Sequence, residues 1–214
     1  MNLSDLAAKG AEPIGVLIGA TLIAHSERFV EGLREVLEAY DVPLLGGDTI
    51  ATSPAVFGCT AIGRATAIPL RTGARPRDQL WVTGRIGAAM RDFAQGGPAY
   101  LRPRPRLVEG RALAPHVHAM MDVSDGLLLD ASRMAQASGC TVEIALDAIP
   151  FAAGIEDRLA AAGWGDDYEL LFAAPAGSTP PVPATRIGAF TAPGPVPLLL
   201  DGAAPPEKLG YEHR

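Results

Sequence analysis

The stretch A-M-M-D-V-S-D-G-L-L-L-D-A-S-R-M-A-Q, residues 119–136, decides the fold of this 214-residue chain. Its first part, Ala119 to Val123, is mostly apolar and predicts a short strand, whereas the part from about Leu127 to Gln136 predicts a helix. The turn between them carries two aspartates, Asp122 and Asp125, just before a glycine. A strand that leads through an acidic turn into a helix is typical of α/β architecture.

The same alternation of strand and helix signals continues along the chain in both directions, without an internal repeat. Further helices are expected over Met1–Gly10, Ser26–Tyr40, Gly87–Phe93 and Arg106–Ala114. Further strands are expected over Val42–Leu45, Ala55–Ile62, Leu80–Thr83, Thr141–Leu146, Tyr168–Ala174, Thr185–Phe190 and Val196–Leu200. The fold class is therefore α/β (α+β), and turn signals over Pro69–Pro76 mark a plausible domain boundary.

Composition and charge exclude several classes of protein. Lysine and arginine number 18 against 24 aspartates and glutamates, so the chain lacks the basic surplus of a nucleic-acid binder. The longest apolar run, Ile14 to Ala24, is too short to span a membrane and contains glycines. Cys59 and Cys140 are far apart in apolar surroundings, which indicates buried free thiols in a reducing compartment. We therefore expect a soluble, cytoplasmic protein with no membrane or nucleic-acid partner.

The chemistry-bearing residues are aspartates in tight turns at the ends of apolar runs. Phosphate loops of the G-x-x-x-x-G-K-[ST] and G-x-G-x-x-G types, nucleophile elbows and H-E-x-x-H are absent from the sequence. A single aspartate in a turn usually caps a helix or forms an Asx-turn, and that interpretation stays open for each one. Because Mg²⁺ favours one or two carboxylates together with substrate phosphates, several such turns also fit a Mg-nucleotide site.

Six motifs in sequence order make the chain recognisable. They are N-L-S-D-L-A-A-K-G-A-E-P (2–13), L-L-G-G-D-T (44–49), R-T-G-A-R-P-R-D (71–78), W-V-T-G-R-I-G (81–87), M-D-V-S-D-G-L (121–127) and G-D-D-Y-E-L (165–170). In this order they closely resemble the thiamine-monophosphate kinase family, part of the superfamily that includes aminoimidazole ribonucleotide synthetase. The resemblance extends from the first residue to Tyr211.

The resemblance implies ATP-dependent phosphorylation of thiamine monophosphate to thiamine diphosphate, by direct in-line transfer with several Mg²⁺ ions. By motif position, the implied metal ligands are Asp5, Asp48, Asp122 and Asp125. The implied ATP-binding residues are Gly47, Asp48, Arg71 and Ser124. The implied residues at the thiamine moiety are Asp166 and Tyr211.

The resemblance also implies a two-domain, aminoimidazole ribonucleotide synthetase-like architecture. We expect a truncated first domain over residues 1–67 and a second over 68–214, because the family's upstream acidic segment has no counterpart here. Relatives form homodimers through their first domains, so we expect weak or altered dimerisation. Trp164 and Arg77 stand where the family motifs have glycine, which predicts strain if φ is positive. A non-catalytic remnant, and a related enzyme with another small phosphate acceptor, are the alternatives.

Overall fold

The computed structural model describes residues 1–21 and 26–212, in which helices and strands alternate. The helices are α1 (Asn2–Ala7), α2 (Ser26–Ala39), α3 (Ala88–Phe93), α4 (Pro98–Leu101), α5 (Leu107–Leu113), α6 (Leu127–Ser138) and α7 (Arg158–Ala162), with short 3₁₀ turns at Ala114–His116 and Leu146–Ala148. The strands are β1 (Glu12–Thr21), β2 (Leu44–Ile50), β3 (Phe57–Arg64), β4 (Gln79–Thr83), β5 (Ala119–Asp122), β6 (Thr141–Ile144), β7 (Leu170–Ala174), β8 (Ala184–Thr191) and β9 (Leu198–Leu200). The α/β expectation is confirmed.

The larger sheet has the strand order β5-β7-β4-β8-β6-β9 over the described residues. Its neighbours pair antiparallel, except for β6 and β9, which are parallel. Alternate residues of its strands point to opposite faces, as a period of two requires. Leu80 and Leu171 pack with α6 on one face, whereas Phe172 and Ala174 pack with α1 and α5 on the other. The sheet is thus buried between two helical layers.

The smaller sheet has the order β2-β1-β3, with β2 parallel and β3 antiparallel to the central strand. Its buried core is small and centres on Leu3, Val16 and Val42. Large apolar side chains on its strands remain 39–55 % exposed, namely Ile14, Leu17, Leu44, Leu45, Ile50, Phe57 and Ile62. In the described part of the chain, this sheet therefore presents an apolar surface to solvent.

Two predictions for the smaller sheet are wrong. Strand β1 was missed, because Pro13, Gly15 and Gly19 dilute its strand signal. The strand expected over Val42–Leu45 instead begins at Leu44, runs through Gly46 and Gly47 to Ile50, and is exposed along its length. Residues 22–24 of the apolar run that begins at Ile14 lie outside the described residues, and no described helix is long and apolar enough to cross a membrane.

The predictions for the two cysteines and for the two residues that replace glycine, Arg77 and Trp164, are each confirmed for one residue only. Cys140 is a buried free thiol, as predicted, but the prediction for Cys59 is wrong, because its thiol lies on the uncovered strand β3 and is exposed. Arg77 has a φ of +80°, in the left-handed region that favours glycine. The backbone of Trp164 does not lie in that region. Of these two residues, only Arg77 therefore has the expected backbone strain.

Candidate functional site

Two motif turns lie side by side where β5 ends and β7 begins. The antiparallel register pairs Asp122 with Leu170, so the acidic turn after β5 meets the G-D-D-Y-E-L segment before β7. The Tyr168 N–H donates to the Val123 carbonyl at 2.9 Å, and the Asp166 N–H donates to the Ser124 carbonyl at 2.9 Å. Motifs more than 40 residues apart in sequence are therefore joined backbone to backbone.

The contact between the turns depends on unusual backbone conformations. Gly165 has a φ of +93°, and a β-carbon there would lie 2.5 Å from the Ser124 carbonyl oxygen. Asp166 and Tyr168 have φ values of +57° and +50°, although neither is glycine. Non-glycine residues in the left-handed region are uncommon and concentrate at functional sites. The hydrogen bonds from Asp166 and Tyr168 to the acidic turn after β5 stabilise this strained backbone.

A cavity of about 1000 Å³ opens at this junction. Six residues that the family resemblance had singled out line it together: Asp5, Asp122, Ser124, Asp125, Asp166 and Tyr211. They come from α1, the end of β5, the turn before α6, the turn before β7 and the C-terminal segment. The fold thus brings together residues that are as much as 206 positions apart, at the carboxyl end of a buried strand.

Asp122 is the most deeply placed of these carboxylates, with 8 % of its surface exposed. Its Oδ2 accepts a hydrogen bond from the Ser4 hydroxyl at 2.7 Å, which ties α1 to the end of β5. Burial raises the pKa of Asp122, the Ser4 hydrogen bond opposes that shift, and the nearby Asp5 carboxylate adds to it. The cavity therefore holds two neighbouring carboxylates, one buried and one exposed, that repel each other in the charged form.

The turn before α6 is organised by a carboxylate that the sequence reasoning missed. Asp130 is fully buried, and its Oδ2 accepts the N–H groups of Ser124 and Asp125 at 3.0 and 3.1 Å. Burial raises the pKa of Asp130 to about 6. Arg133 donates to Asp125 and to Asp130, so Asp125 faces the cavity as part of an ion pair. The sequence signal that could have identified Asp130 is its position, since an acidic residue in the first turn of a helix such as α6 stabilises the helix N-terminus.

The predicted acceptor-side residues also have defined neighbours. The Tyr168 hydroxyl donates to Asp166 Oδ1 at 3.0 Å, and burial together with that carboxylate raises the pKa of Tyr168. The Tyr211 N–H donates to the Asp125 carbonyl at 2.8 Å, which anchors the C-terminal segment against the acidic turn. The Tyr211 side chain is 58 % exposed. Both predicted residues, Asp166 and Tyr211, therefore line the cavity.

Asp167 and Glu169 of the same motif serve as structural acceptors. Both Asp167 carboxylate oxygens accept the Gly87 N–H at 2.9 Å, at the start of α3, and burial raises the pKa of Asp167 to about 7. Glu169 binds Arg106 through two hydrogen bonds, of 2.7 and 2.5 Å, and accepts from Thr83 Oγ1 at 2.6 Å. These contacts tie the residue before α3, Gly87, and the residue before α5, Arg106, to the G-D-D-Y-E-L segment.

Three predicted residues do not line the cavity: Gly47, Asp48 and Arg71. Gly47 and Asp48 lie in the exposed strand β2, where a β-carbon on Gly47 would clash with the Ile18 carbonyl oxygen at 1.8 Å. Arg71 is exposed on the connection between the two sheets. Burial and then the positive charge of Arg71 lower the pKa of Lys9, while the carboxylates of Asp122 and Asp5 raise it, so Lys9 feels charges of both signs.

Within residues 1–21 and 26–212, no three histidine, cysteine or acidic side chains converge in the way that a protein-only metal site requires. The donor set nevertheless suits Mg²⁺, which usually binds through one or two carboxylates, substrate phosphates and water. Asp122 and Asp5 supply such a pair, and their mutual repulsion is what a cation would relieve. The residues present therefore fit a cation that arrives with a phosphate-bearing substrate.

The cavity has features that the motifs did not reveal. Phe93 and Trp164 form part of its wall, with ring centroids 5.3 Å apart, and Asp157 and Lys208 also line it. Lys208 and Asp157 lie outside every motif singled out above. The aromatic contact joins α3 to the segment after α7, across about 70 residues, so no local sequence pattern indicates it.

Comparisons with known proteins agree with this arrangement. Models for the N-terminal and C-terminal domains of AIR synthase related proteins match residues 1–65 and 85–179. The thiamine-monophosphate kinase of Caulobacter vibrioides is 36 % identical over 252 residues, covering 99 % of this chain and 72 % of that protein. The Escherichia coli K12 enzyme of the same name is 34 % identical, covering 82 % of this chain and 62 % of that protein. The chain thus spans about two thirds of the length of such relatives.

Solved structures give the same match in three dimensions. The thiamine-monophosphate kinase of Stenotrophomonas maltophilia K279a superimposes with a TM-score of 0.84 at 32 % identity, covering 95 % of this chain and 76 % of that one. A protein described as AaThiL, complexed with AMPPCP and TMP, superimposes with a TM-score of 0.86 at 26 % identity, covering 99 % and 77 %. Escherichia coli HypE, at 18 % identity and a TM-score of 0.77, shares the fold.

Proposed function

The chain belongs to the thiamine-monophosphate kinase family, and from that premise we propose that it transfers the γ-phosphoryl group of ATP to the phosphate of thiamine monophosphate. A relative that bears this name matches 99 % of the chain, and one solved relative is described as complexed with AMPPCP and TMP. Both substrates are phosphate esters, so the reaction joins two anions. The site must therefore position two phosphates and offset their repulsion.

One observation carries the proposal: six residues that the family resemblance had singled out line a single cavity. By their implied roles, Asp5, Asp122 and Asp125 belong to the metal, Ser124 to ATP, and Asp166 and Tyr211 to the thiamine moiety. Backbone hydrogen bonds join these sets, because the Asp166 N–H donates to the Ser124 carbonyl and the Tyr211 N–H donates to the Asp125 carbonyl.

We assign Asp5, Asp122 and Asp125 to the metal and Asp166 and Tyr211 to the thiamine moiety. When bound, Mg²⁺ would offset the charge that gathers on the transferring phosphoryl group. The chain's own contribution is positioning: Ser4 fixes the Asp122 carboxylate, and Asp130 fixes the backbone of Ser124 and Asp125. The acceptor phosphate is already an anion, so no residue has to remove a proton from it.

Gly47, Asp48 and Arg71 complete the proposed ATP site from the smaller sheet and the connection that follows it. We assign Arg71 to phosphate because its guanidinium is a planar, fork-shaped donor, and its charge and those of Asp122 and Asp5 all act on Lys9. We propose residues 1–67 and 68–214 as the two domains, because the strands change from one sheet to the other between Arg64 and Gln79. A cytoplasmic location stays a prediction.

A homodimer through the smaller sheet is the proposed assembly, in weakened or altered form. Both β2 and β3 are edge strands of the described sheet, and their apolar side chains are exposed. Open edges and apolar patches pair with other chains, either in a defined dimer or by aggregation. Gel filtration with light scattering distinguishes these outcomes, and a tight, monodisperse dimer would contradict weakened pairing.

A non-catalytic remnant is the second candidate function. It is favoured by the position of Gly47, Asp48 and Arg71 outside the cavity, and by the lack of a three-carboxylate cluster among the described residues. Such a chain would bind nucleotide or a partner without turnover. A related enzyme with another small phosphate acceptor is less well supported, because the G-D-D-Y-E-L motif resembles the thiamine branch and two of its residues, Asp166 and Tyr168, line the cavity.

The deciding experiment supplies the purified chain with ATP, Mg²⁺ and thiamine monophosphate. Thiamine diphosphate is then measured by fluorescence after oxidation. We expect product that depends on all three components. A folded chain that binds AMPPCP but forms no product would establish the non-catalytic alternative, and product from a different phosphate acceptor alone would establish the other.

A further inference from the structure

The cavity wall carries an aromatic surface that the proposed phosphate chemistry does not use. Phe93 and Trp164 line the cavity with their rings at 61° and 5.3 Å between centroids. Tyr100 also packs edge-on against Phe93, with 4.9 Å between ring centroids. Phe93 is 48 % exposed and Trp164 is 37 % exposed, so each ring is backed by protein and open to a ligand.

The aromatic surface is held on fixed supports. The Trp164 N–H donates to the Ala161 carbonyl at 3.3 Å, which anchors it to the end of α7. Helix α3, which ends at Phe93, is fixed at its start by Asp167, whose oxygens accept the Gly87 N–H at 2.9 Å. The rings are therefore positioned before a ligand binds, which reduces the entropy lost on binding.

The charge around this surface favours a cation. Five aspartates and one lysine line the described cavity, and Asp166 lies two residues from Trp164. Aromatic faces attract cations through the ring quadrupole, and tryptophan does so most strongly. Of the two proposed substrates, the thiazolium ring of the acceptor carries a positive charge, whereas adenine is neutral. An acidic, aromatic wall discriminates between them in favour of the acceptor.

We propose that Trp164, backed by Phe93, stacks against the positively charged heteroaromatic part of the phosphate acceptor and thereby selects it. This inference rests on the proposed function, since it names a specificity residue for the same site. Trp164 acts by binding the organic part of the substrate and takes no part in phosphoryl transfer. Its loss should therefore weaken acceptor binding without slowing the chemical step.

The test compares Trp164→Leu, which removes the aromatic face, with Trp164→Phe, which keeps one. We expect Trp164→Leu to raise the KM for thiamine monophosphate at least tenfold, with kcat and the KM for ATP changed less than twofold. Trp164→Phe should stay within about threefold of the wild type, because a phenyl face still attracts a cation. A selective rise in the KM for ATP would instead place adenine on this wall and overturn the proposal.

A binding measurement separates failure of the inference from failure of the proposed function. Calorimetry with thiamine monophosphate in the absence of ATP gives Kd for all three proteins without turnover. Weaker binding by Trp164→Leu alone supports the inference even if no product forms, whereas equal binding by all three overturns it even if product forms. No binding by the wild type overturns both. Fluorescence emission of Trp164 adds a direct signature of ligand binding at this wall. The other tryptophan, Trp81, packs against the core of the larger sheet, so its emission should not respond to the ligand.

Discussion

The two sheets of this chain differ in how their predicted site residues are held. At the larger sheet, the acidic turn and the G-D-D-Y-E-L turn are joined through backbone hydrogen bonds and buried carboxylates. At the smaller sheet, Gly47 and Asp48 lie in a strand that is exposed along its length. The same kind of sequence motif thus gives a pre-organised cavity in one place and an open surface in the other.

The difference shows that a motif defines a site only where the surrounding structure fixes it. Asp122 and Asp48 both follow apolar runs, and both belong to recognisable motifs. Asp122 is 8 % exposed and accepts a hydrogen bond from Ser4, whereas the exposed Asp48 carboxylate accepts the backbone N–H of its own neighbour, Thr49. Burial between two helical layers supplies the support that the smaller sheet lacks on its uncovered surface.

The largest expected difference between the sheets concerns stability. Phe172→Ala, in fully buried β7, should lower the free energy of unfolding by about 3–5 kcal/mol, because it leaves a cavity in the core. Phe57→Ala, at a residue 45 % exposed in β3, should cost under about 1 kcal/mol. Urea denaturation measures both. Equal costs would contradict the comparison and show that the smaller sheet is covered in solution.

The second prediction concerns the pH dependence of stability. The pKa of Asp167 is raised from 3.8 to about 7 by burial, so between about pH 4 and 7 the folded chain holds a proton that the unfolded chain releases. Its contribution to stability is therefore greatest below pH 4 and falls as pH rises to 7, by at most about 4 kcal/mol. Asp167→Asn should flatten that decline.

Asp147→Asn is the matched control for this pH prediction. Asp147 lies on the surface with its side chain 94 % exposed, paired with Arg158 at 2.8 Å. Its removal should leave the decline between pH 4 and 7 as it is in the wild type. The account of Asp167 would be wrong if Asp167→Asn and Asp147→Asn gave the same unfolding profile across that range.

The smallest predicted effect is at the connection between the sheets. Arg77 adopts a φ of +80°, a conformation that costs a non-glycine residue about 1–2 kcal/mol. Arg77→Gly should raise the free energy of unfolding by about 0.5–1 kcal/mol, after the greater freedom of glycine in the unfolded chain is subtracted. Arg75, two residues earlier, lies outside the left-handed region, so Arg75→Gly should lower the free energy of unfolding. A loss of stability in both variants would contradict the strain at Arg77.

The sequence predicted the larger sheet well because its signals are local. The strand and helix of residues 119–136 are found as β5 and α6, and the apolar run before Ala174 is found as β7. The family resemblance then singled out residues that are far apart in sequence, and Asp122, Asp166 and Tyr211 do line one cavity. Their individual roles at that cavity stay proposals.

What the sequence did not predict depends on contacts between distant elements. Burial makes Asp130 and Asp167 structural acceptors, and burial is a property of the assembled core. The contact between Phe93 and Trp164 joins two segments that share no motif. Strand β1 was missed because its glycines and proline weaken a propensity that pairing with β2 and β3 overrides.

The central claim is that the cavity carboxylates carry the phosphoryl-transfer site, and the most direct measurement is thiamine diphosphate formation by Asp122→Asn. Asparagine keeps an acceptor for the Ser4 hydroxyl but removes the charge. We predict a loss of kcat of about 100-fold or more, with the fold retained by circular dichroism, because charge neutralisation dominates such reactions. Asp147→Asn should retain wild-type turnover. Unchanged turnover in Asp122→Asn would contradict the claim.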